Sequence, residues 1–354
     1  MANFWWRFNK ALVTTLLLGC CLQTLQAVTV SGLYKTTVPV ASESATVQTA
    51  AFASALEQVL IKISGNSQIV SVSGINQALS NAVNYVQQYG YIEQAQNGQQ
   101  QLMLNVTFTP AAINNLLRQS NQPIWGYNRP LLIAWVVVTD NQGTRVLTNN
   151  NLDPVATQLL QDAQDRGLPV ILPTMDAVDA QYINPQVIQQ NNLQVIQSAS
   201  QRYQADGFFV ANINATGAIT STWELVTSSK QQAWQVAGGT LLPAIKLGID
   251  DISDALAVQY AVAVTPQTSQ QIQMQVSNLE VATDYAKVQQ YLMGLTGVTS
   301  VSVSSVNNDM ATFNINLSSS LPAFVGQIKL GNRLLPVVQS TNNQQILSYQ
   351  YNAS

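Results

Sequence analysis

The sequence predicts a protein of α+β and α/β type in three small units. The first is an antiparallel α+β unit, the second an α/β unit with a mixed sheet, and the third a C-terminal ferredoxin-like βαββαβ unit. Three observations predict this. Alternating runs at 90–96 and 99–109 flank Asn97-Gly98, the strongest short signal for a hairpin and hence for an antiparallel sheet. Residues 131–213 alternate short apolar runs with helical periodicity, as parallel strands joined by crossovers do. After Pro266 the order becomes strand, helix, hairpin, helix, strand, which is the split βαβ pattern.

Taken in order, the chain opens on a leader. Arg7 and Lys10 precede the apolar run 11–22, and Leu25-Gln26-Ala27 supplies a small-residue cleavage site. This is the pattern of a secretory signal peptide over residues 1–27, and the run is too short to span a bilayer. Export to the periplasm follows as the expected location. Leu17-Leu-Gly-Cys20 offers a second reading, lipidation of Cys20 and membrane anchoring through it.

The first unit covers 28–122. Residues 28–40 alternate as a strand. Ser42 or Ser44 caps a helix over 45–63, which carries Ala51, Ala55, Leu56, Val59, Leu60 and Ile63 on one face. Ser64-Gly65-Asn66 ends it. A second helix is expected over 75–88 with Leu79, Ala82, Val83 and Val86 inward, and a third over 111–119 after Pro110. The middle unit, 123–264, has strands at 131–139, 168–172 and 207–213. Its helices fall at 153–166, capped by Asp153-Pro154, and at 193–204. Strands 221–227 and 232–237 follow, each with one tryptophan, and a helix over 243–260 closes it. The last unit, 265–354, has strands at 270–279, 298–306 and 310–317, helices at 283–295 and 321–330, and a final strand at 334–338 extended by 346–351.

Composition limits the chemistry. Charged residues are 9% of the chain, against roughly 25% in an average globular protein. Without Arg7 and Lys10 the balance is 12 basic to 17 acidic residues, and no Lys/Arg run occurs, so no nucleic-acid footprint is expected. Histidine is absent and both cysteines, Cys20 and Cys21, lie in the leader. A Ser-His-Asp triad, a Cys-His pair, His/Cys zinc ligation and a disulfide framework are therefore excluded from the mature chain. No phosphate-binding glycine loop is present, and no cofactor is expected.

Of the 17 acidic residues, 11 lie between Asp140 and Asp254. Asp176 and Asp179 follow a strand of a parallel sheet, where ligands bind, and Asp140 ends the neighbouring strand. Converging, these three carboxylates would hold Mg²⁺ or Ca²⁺ or serve in acid–base hydrolysis. The alternative makes Asp176 a helix N-cap and Asp179 a first-turn charge, with Arg129 or Arg166 as their partner. Arg202 and Tyr203 either satisfy the end of their helix or line a cleft. Arg129, Arg166, Asp176, Asp179 and Arg202 are thus the ligand-binding candidates, with no metal or catalytic residue assigned outright. Asp250-Asp251-Ile-Ser-Asp254 lacks the glycine and distal glutamate of a calcium loop and reads as a solvated helix face. Trp223 and Trp234 suit a cross-strand pair, or alternatively a sugar-stacking platform. Any cleft is expected first at the loop after Pro173.

Val38-Pro-Val40, Ala55-Leu-Glu-Gln-Val-Leu60, Trp125-Gly-Tyr-Asn-Arg-Pro130, Arg166-Gly-Leu-Pro169, Ala199-Ser-Gln-Arg-Tyr203 and the two tryptophans occur in an order that resembles a family of exported proteobacterial proteins, domain of unknown function 2066 (DUF2066). The resemblance spans 28–260. It implies a place in a Gram-negative envelope and brings no activity. The expected function is a non-catalytic periplasmic binding or assembly module with an envelope protein or the cell wall as partner. The alternative is a carboxylate-based hydrolase or divalent-metal protein using Asp140, Asp176 and Asp179.

Overall fold

A computed structural model describes residues 30–96, 99–149, 153–263, 270–331, 333–337 and 346–352. The leader, Cys20 and the Asn97-Gly98 turn lie outside the described residues. The fold is of the α+β class, with sheets of three, six and five strands.

The first sheet has the order β1-β3-β2, with β1 (Lys35–Pro39), β2 (Val86–Gln96) and β3 (Gln99–Phe108) all antiparallel. Gln96 pairs with Gln99, leaving the two residues expected between the strands. α1 (Ala45–Ser64) lays Ala55, Leu56, Val59, Leu60 and Ile63 on Leu104, Val106 and Phe108. Gly65 ends α1 at φ 71°, and a Cβ there would stand 2.0 Å from that of Ala257. Glycine is thus required for both the left-handed turn and the close approach of a later helix. α2 (Ile75–Ser80) is shorter than expected: a 3₁₀ turn over Ala82–Tyr85 follows and β2 already begins at Val86. The pairing of Val86 with Phe108 outweighs the helical periodicity of 82–88, and Val83 ends 60% exposed rather than inward. α3 (Pro110–Gln119) closes the unit.

The middle sheet is mixed, as expected. β4 (Leu132–Asp140) runs parallel to both β6 (Val170–Ile171) and β7 (Gly207–Asn214), while β5 (Gly143–Val146), β8 (Ile219–Thr227) and β9 (Gln231–Gly238) pair antiparallel. β6 is only two residues long because Pro169 and Pro173 flank it without N–H donors. One face of the sheet packs on α4 (Pro154–Asp165) and α8 (Leu241–Tyr260). The other, built from Ile133, Trp135, Val137, Phe208 and Val210, packs on α5 (Ala177–Tyr182), α6 (Pro185–Gln189) and α7 (Leu193–Ser200).

Trp223 lies directly opposite Trp234 and is wholly buried, while Trp234 packs half-buried against the same core, the arrangement of a cross-strand pair. A Cβ on Gly248 of α8 would come 2.2 Å from the Trp223 ring. Gly248→Val is therefore expected to cost about 3 kcal/mol through overpacking, seen as a lowered urea midpoint at unchanged slope.

The last sheet has the order β11-β12-β10-β14-β13. β10 (Gln270–Ser277), α9 (Ala282–Met293), β11 (Val298–Asn307), β12 (Met310–Leu317) and α10 (Leu321–Gly331) follow the split βαβ succession, with β12 between β10 and β11. The end differs. β14 (Ile346–Tyr351) does not extend β13 (Leu334–Pro336) but inserts between it and β10, parallel to β10. Tyr349 and Tyr351 alternate into the core, whereas Pro336 suits β13 to the edge. Among the described residues, no helix is long and apolar enough to cross a membrane.

Candidate functional site

The loop after β6 turns at Met175, whose φ is 50°, and enters α5. Asp176 caps this helix by accepting from the N–H groups of Val178 (3.0 Å) and Asp179 (3.1 Å). Arg202 grips Asp176 through two bonds of 2.7 Å each and reaches Asp179 Oδ1 at 2.9 Å. Asp179 is 1% exposed, and its other oxygen accepts from the Met175 N–H (3.0 Å), Thr174 Oγ1 (3.3 Å) and the Tyr203 hydroxyl. The Tyr203 ring stands edge-on to Trp135 on the sheet below. One arginine thus fastens α5 to the turn that follows α7, and the half-buried tyrosine fastens both to β4.

The electrostatics match this geometry. The Arg202 hydrogen bonds, helped by the Asp179 N–H, hold the Asp176 carboxyl well below its ordinary range. Asp176 in turn raises the Arg202 guanidinium. Burial, with the Asp179 contact, raises the Tyr203 phenol.

The cap and first-turn roles of Asp176 and Asp179 stand, but their partner is Arg202. Arg129 and Arg166 lie elsewhere. Arg129 is 2% exposed and donates only to carbonyls: Gly126 (3.1 Å), Arg166 (2.9 Å), Gly167 (3.2 Å), Lys62 (2.7 Å) and Trp125 (2.9 Å). Its guanidinium stacks 4.2 Å above the Trp125 ring. Burial, then the nearby Arg166, pushes it down to about 9, still protonated at neutral pH. Arg166 donates to the Gly65 carbonyl at 3.1 Å and pairs with Asp250 (3.1 Å) and Asp254. Asp254 also accepts from Ser67. Asp250 and Asp254 are therefore more than a solvated face: they complete the seam between the end of α1, the end of α4 and the middle of α8. Both guanidinium groups are turned into this seam.

Asp140 does not join the cluster either. It pairs with Arg145 at 2.8 Å, which also holds the α4 cap Asp153 at 2.8 Å. Asp140 stands five residues beyond Trp135 on β4, about 16 Å along the strand. The Arg145 bond lowers its carboxyl below the ordinary range. Among the described residues, no three carboxylate, histidine or cysteine groups come together as a metal would require. Cys20 lies outside the described residues.

A groove of about 440 Å³ opens beside the cluster, between α5 and α7. Val178 and Tyr182 form one wall, Val195 and Ala199 the other, and Asp179 and Arg202 also line it. Val178 is 55% and Tyr182 58% exposed. The expectation of a cleft after Pro173 pointed to this place, but the apolar residues that make it were missed. Their signal was Val178 and Tyr182 four apart, behind a capping aspartate and on the face away from Ile183.

Comparison with known proteins corrects the family. A family model described as domain of unknown function (DUF8605) matches residues 27–126. Nothing supports DUF2066, so the Gram-negative envelope that it implied loses that basis. The motifs quoted for it are short, and Trp125, Arg129 and Arg166 among them serve the packing seam. No curated protein matches the chain. A competence or damage-inducible protein from Enterobacter asburiae is similar at 8% identity and a TM-score of 0.23, covering 37% of this chain and 87% of that one. A competence-damaged protein (CinA) superfamily protein from Enterobacter cloacae is similar at 12% identity and a TM-score of 0.22, covering 37% and 82%. Likenesses of this degree carry no inference about fold or activity. Over residues 27–126, the chain is similar to the domain of unknown function DUF8605.

Proposed function

We propose that the chain is a non-catalytic binding module of the cell envelope, and that the groove between α5 and α7 takes an apolar segment of a protein partner. The carrying observation is the pair Val178 and Tyr182, large apolar side chains left more than half exposed along a groove. Two carboxylates against one guanidinium leave the adjoining cluster with an excess negative charge, and the Asp176 side chain is 45% exposed. A basic residue on the bound segment finds its partner there. Catalysis is the weaker reading because Asp140, Asp176 and Asp179 are each engaged by an arginine, whereas an acid–base or metal group must be free to act. Periplasmic location is supported by Arg7, Lys10, the apolar run 11–22 and the Ala27 site. A form anchored at Cys20 is the second reading, favoured by Leu17-Leu-Gly-Cys20.

Two fluorescent heptapeptides of leucine and phenylalanine, one ending in lysine and one in glutamate, test the groove by anisotropy. The lysine peptide is expected to bind with a Kd on the order of 10 μM and the glutamate peptide more weakly, with Val178→Asp losing about tenfold. Absence of binding by both peptides, or equal binding by Val178→Asp, overturns the reading.

A further inference from the structure

A larger cleft lies away from this groove. It is about 940 Å³ in volume and runs between the outer face of the first sheet and α4. Its walls carry Gln94 from β2 and Gln158, Gln161 and Gln164 from α4, and Lys35 and Lys62 line it as well. Lys62 is 7% exposed. Its ammonium has three N–H donors but, among the described residues, makes a single hydrogen bond, to the Lys35 carbonyl at 3.2 Å. Immediately behind lies Arg129: a Cβ on Gly167 would sit 2.8 Å from its guanidinium and 3.1 Å from the Lys62 stem. Among the described residues, neither Lys62 nor Arg129 has a carboxylate within ion-pair distance. Asp165, also on the wall, accepts from Gln161 at 2.9 Å. Two buried cations without an ion-pair partner among the described residues bias the floor of this cleft positive, with Asp165 on the wall as the one carboxylate that lines it.

We propose that the cleft binds a small oxyanion-bearing molecule, a carboxylate or a phosphate. Its negative group seats on the Lys62 ammonium with Lys35 at the mouth, and its other polar atoms meet the glutamine amides. Three features favour this. The cleft lies between two packed units, where ligand sites concentrate, and its volume suits a small molecule. A charge-assisted bond from Lys62 is available without moving any existing partner. Amide side chains recognise both donors and acceptors on a ligand without adding charge. Burial lowers the Lys62 ammonium below its usual value against the attraction of Asp165, and Arg129 adds to the lowering. The proposal is independent of the groove between α5 and α7.

The test is calorimetric titration of the full chain with inorganic phosphate and separately with citrate, at an ionic strength fixed by chloride. The expected result is saturable binding of at least one probe, weakened about tenfold or more in Lys62→Met and weakened also in Lys35→Met. Lys329→Met, an exposed lysine on α10, should leave it unchanged. If Lys62→Met does not fold, the comparison of Lys35→Met with Lys329→Met decides. Binding of phosphate alone or citrate alone identifies which oxyanion the site prefers. No saturable binding of either probe up to about 10 mM, or equal weakening by Lys35→Met and Lys329→Met, overturns the proposal.

Discussion

Arg129→Met is expected to destabilise the chain by about 4 kcal/mol, lowering the melting temperature by roughly 10 °C. The guanidinium is 2% exposed and its five donor contacts end on five carbonyls from three segments: the end of α1, the 125–126 junction and the end of α4. Methionine retains the stem and some contact with Trp125 but offers no donor. The carbonyls of Lys62, Arg166 and Gly167 then lose the donor that Arg129 supplied at a buried seam, and leaving such groups unpaired costs more than the net worth of the bonds. Removing a buried cation works in the opposite direction, which keeps the expected loss below the sum of five bonds. Calorimetric melting of the purified variant checks the figure.

Asp179→Ala is expected to cost about 3 kcal/mol. This carboxylate is 1% exposed and receives the Met175 N–H, the Thr174 and Tyr203 hydroxyls and one arm of Arg202. Alanine leaves the tyrosine hydroxyl and the backbone N–H without that acceptor and removes one of the two bonds made by Arg202 Nη1, which stays held by Asp176. The loop 173–176 and α5 should loosen together, visible as faster amide hydrogen exchange at Met175 and through α5 while the sheet stays protected.

Much of the architecture could be read from periodicity. The 3.6-residue repeat of α1, the proline starts of α3 and α4, and the alternation of β10 and β12 all rest on local chemistry that survives into the fold. Where local preference and tertiary pairing compete, the pairing decides. Residues 82–88 have helical spacing, yet the pairing partner Phe108 draws Val86 into a strand. The insertion of β14 between β10 and β13 is likewise a choice among sheet positions, which alternation alone does not specify.

For the site, capping chemistry was legible at Asp176 because it is local. The partner of Asp179 was not. Arg129, Arg166 and Arg202 are indistinguishable in sequence, and only the packing of α7 against α5 selects Arg202. The groove was hidden for the same reason. Val178 and Tyr182 look like core residues until the fold leaves their face uncovered.

The central claim is that the acidic residues around the middle sheet fasten its elements together, leaving recognition to uncovered surfaces. A double-mutant cycle between Asp179→Asn and Arg202→Gln, read by urea unfolding, tests it most directly. The predicted result is a loss of stability in each single variant and a coupling of about 1.5–3 kcal/mol between them. Single variants as stable as the parent or more so, with coupling near zero, would contradict it, because carboxylates held in place for chemistry commonly cost a fold stability that substitution restores.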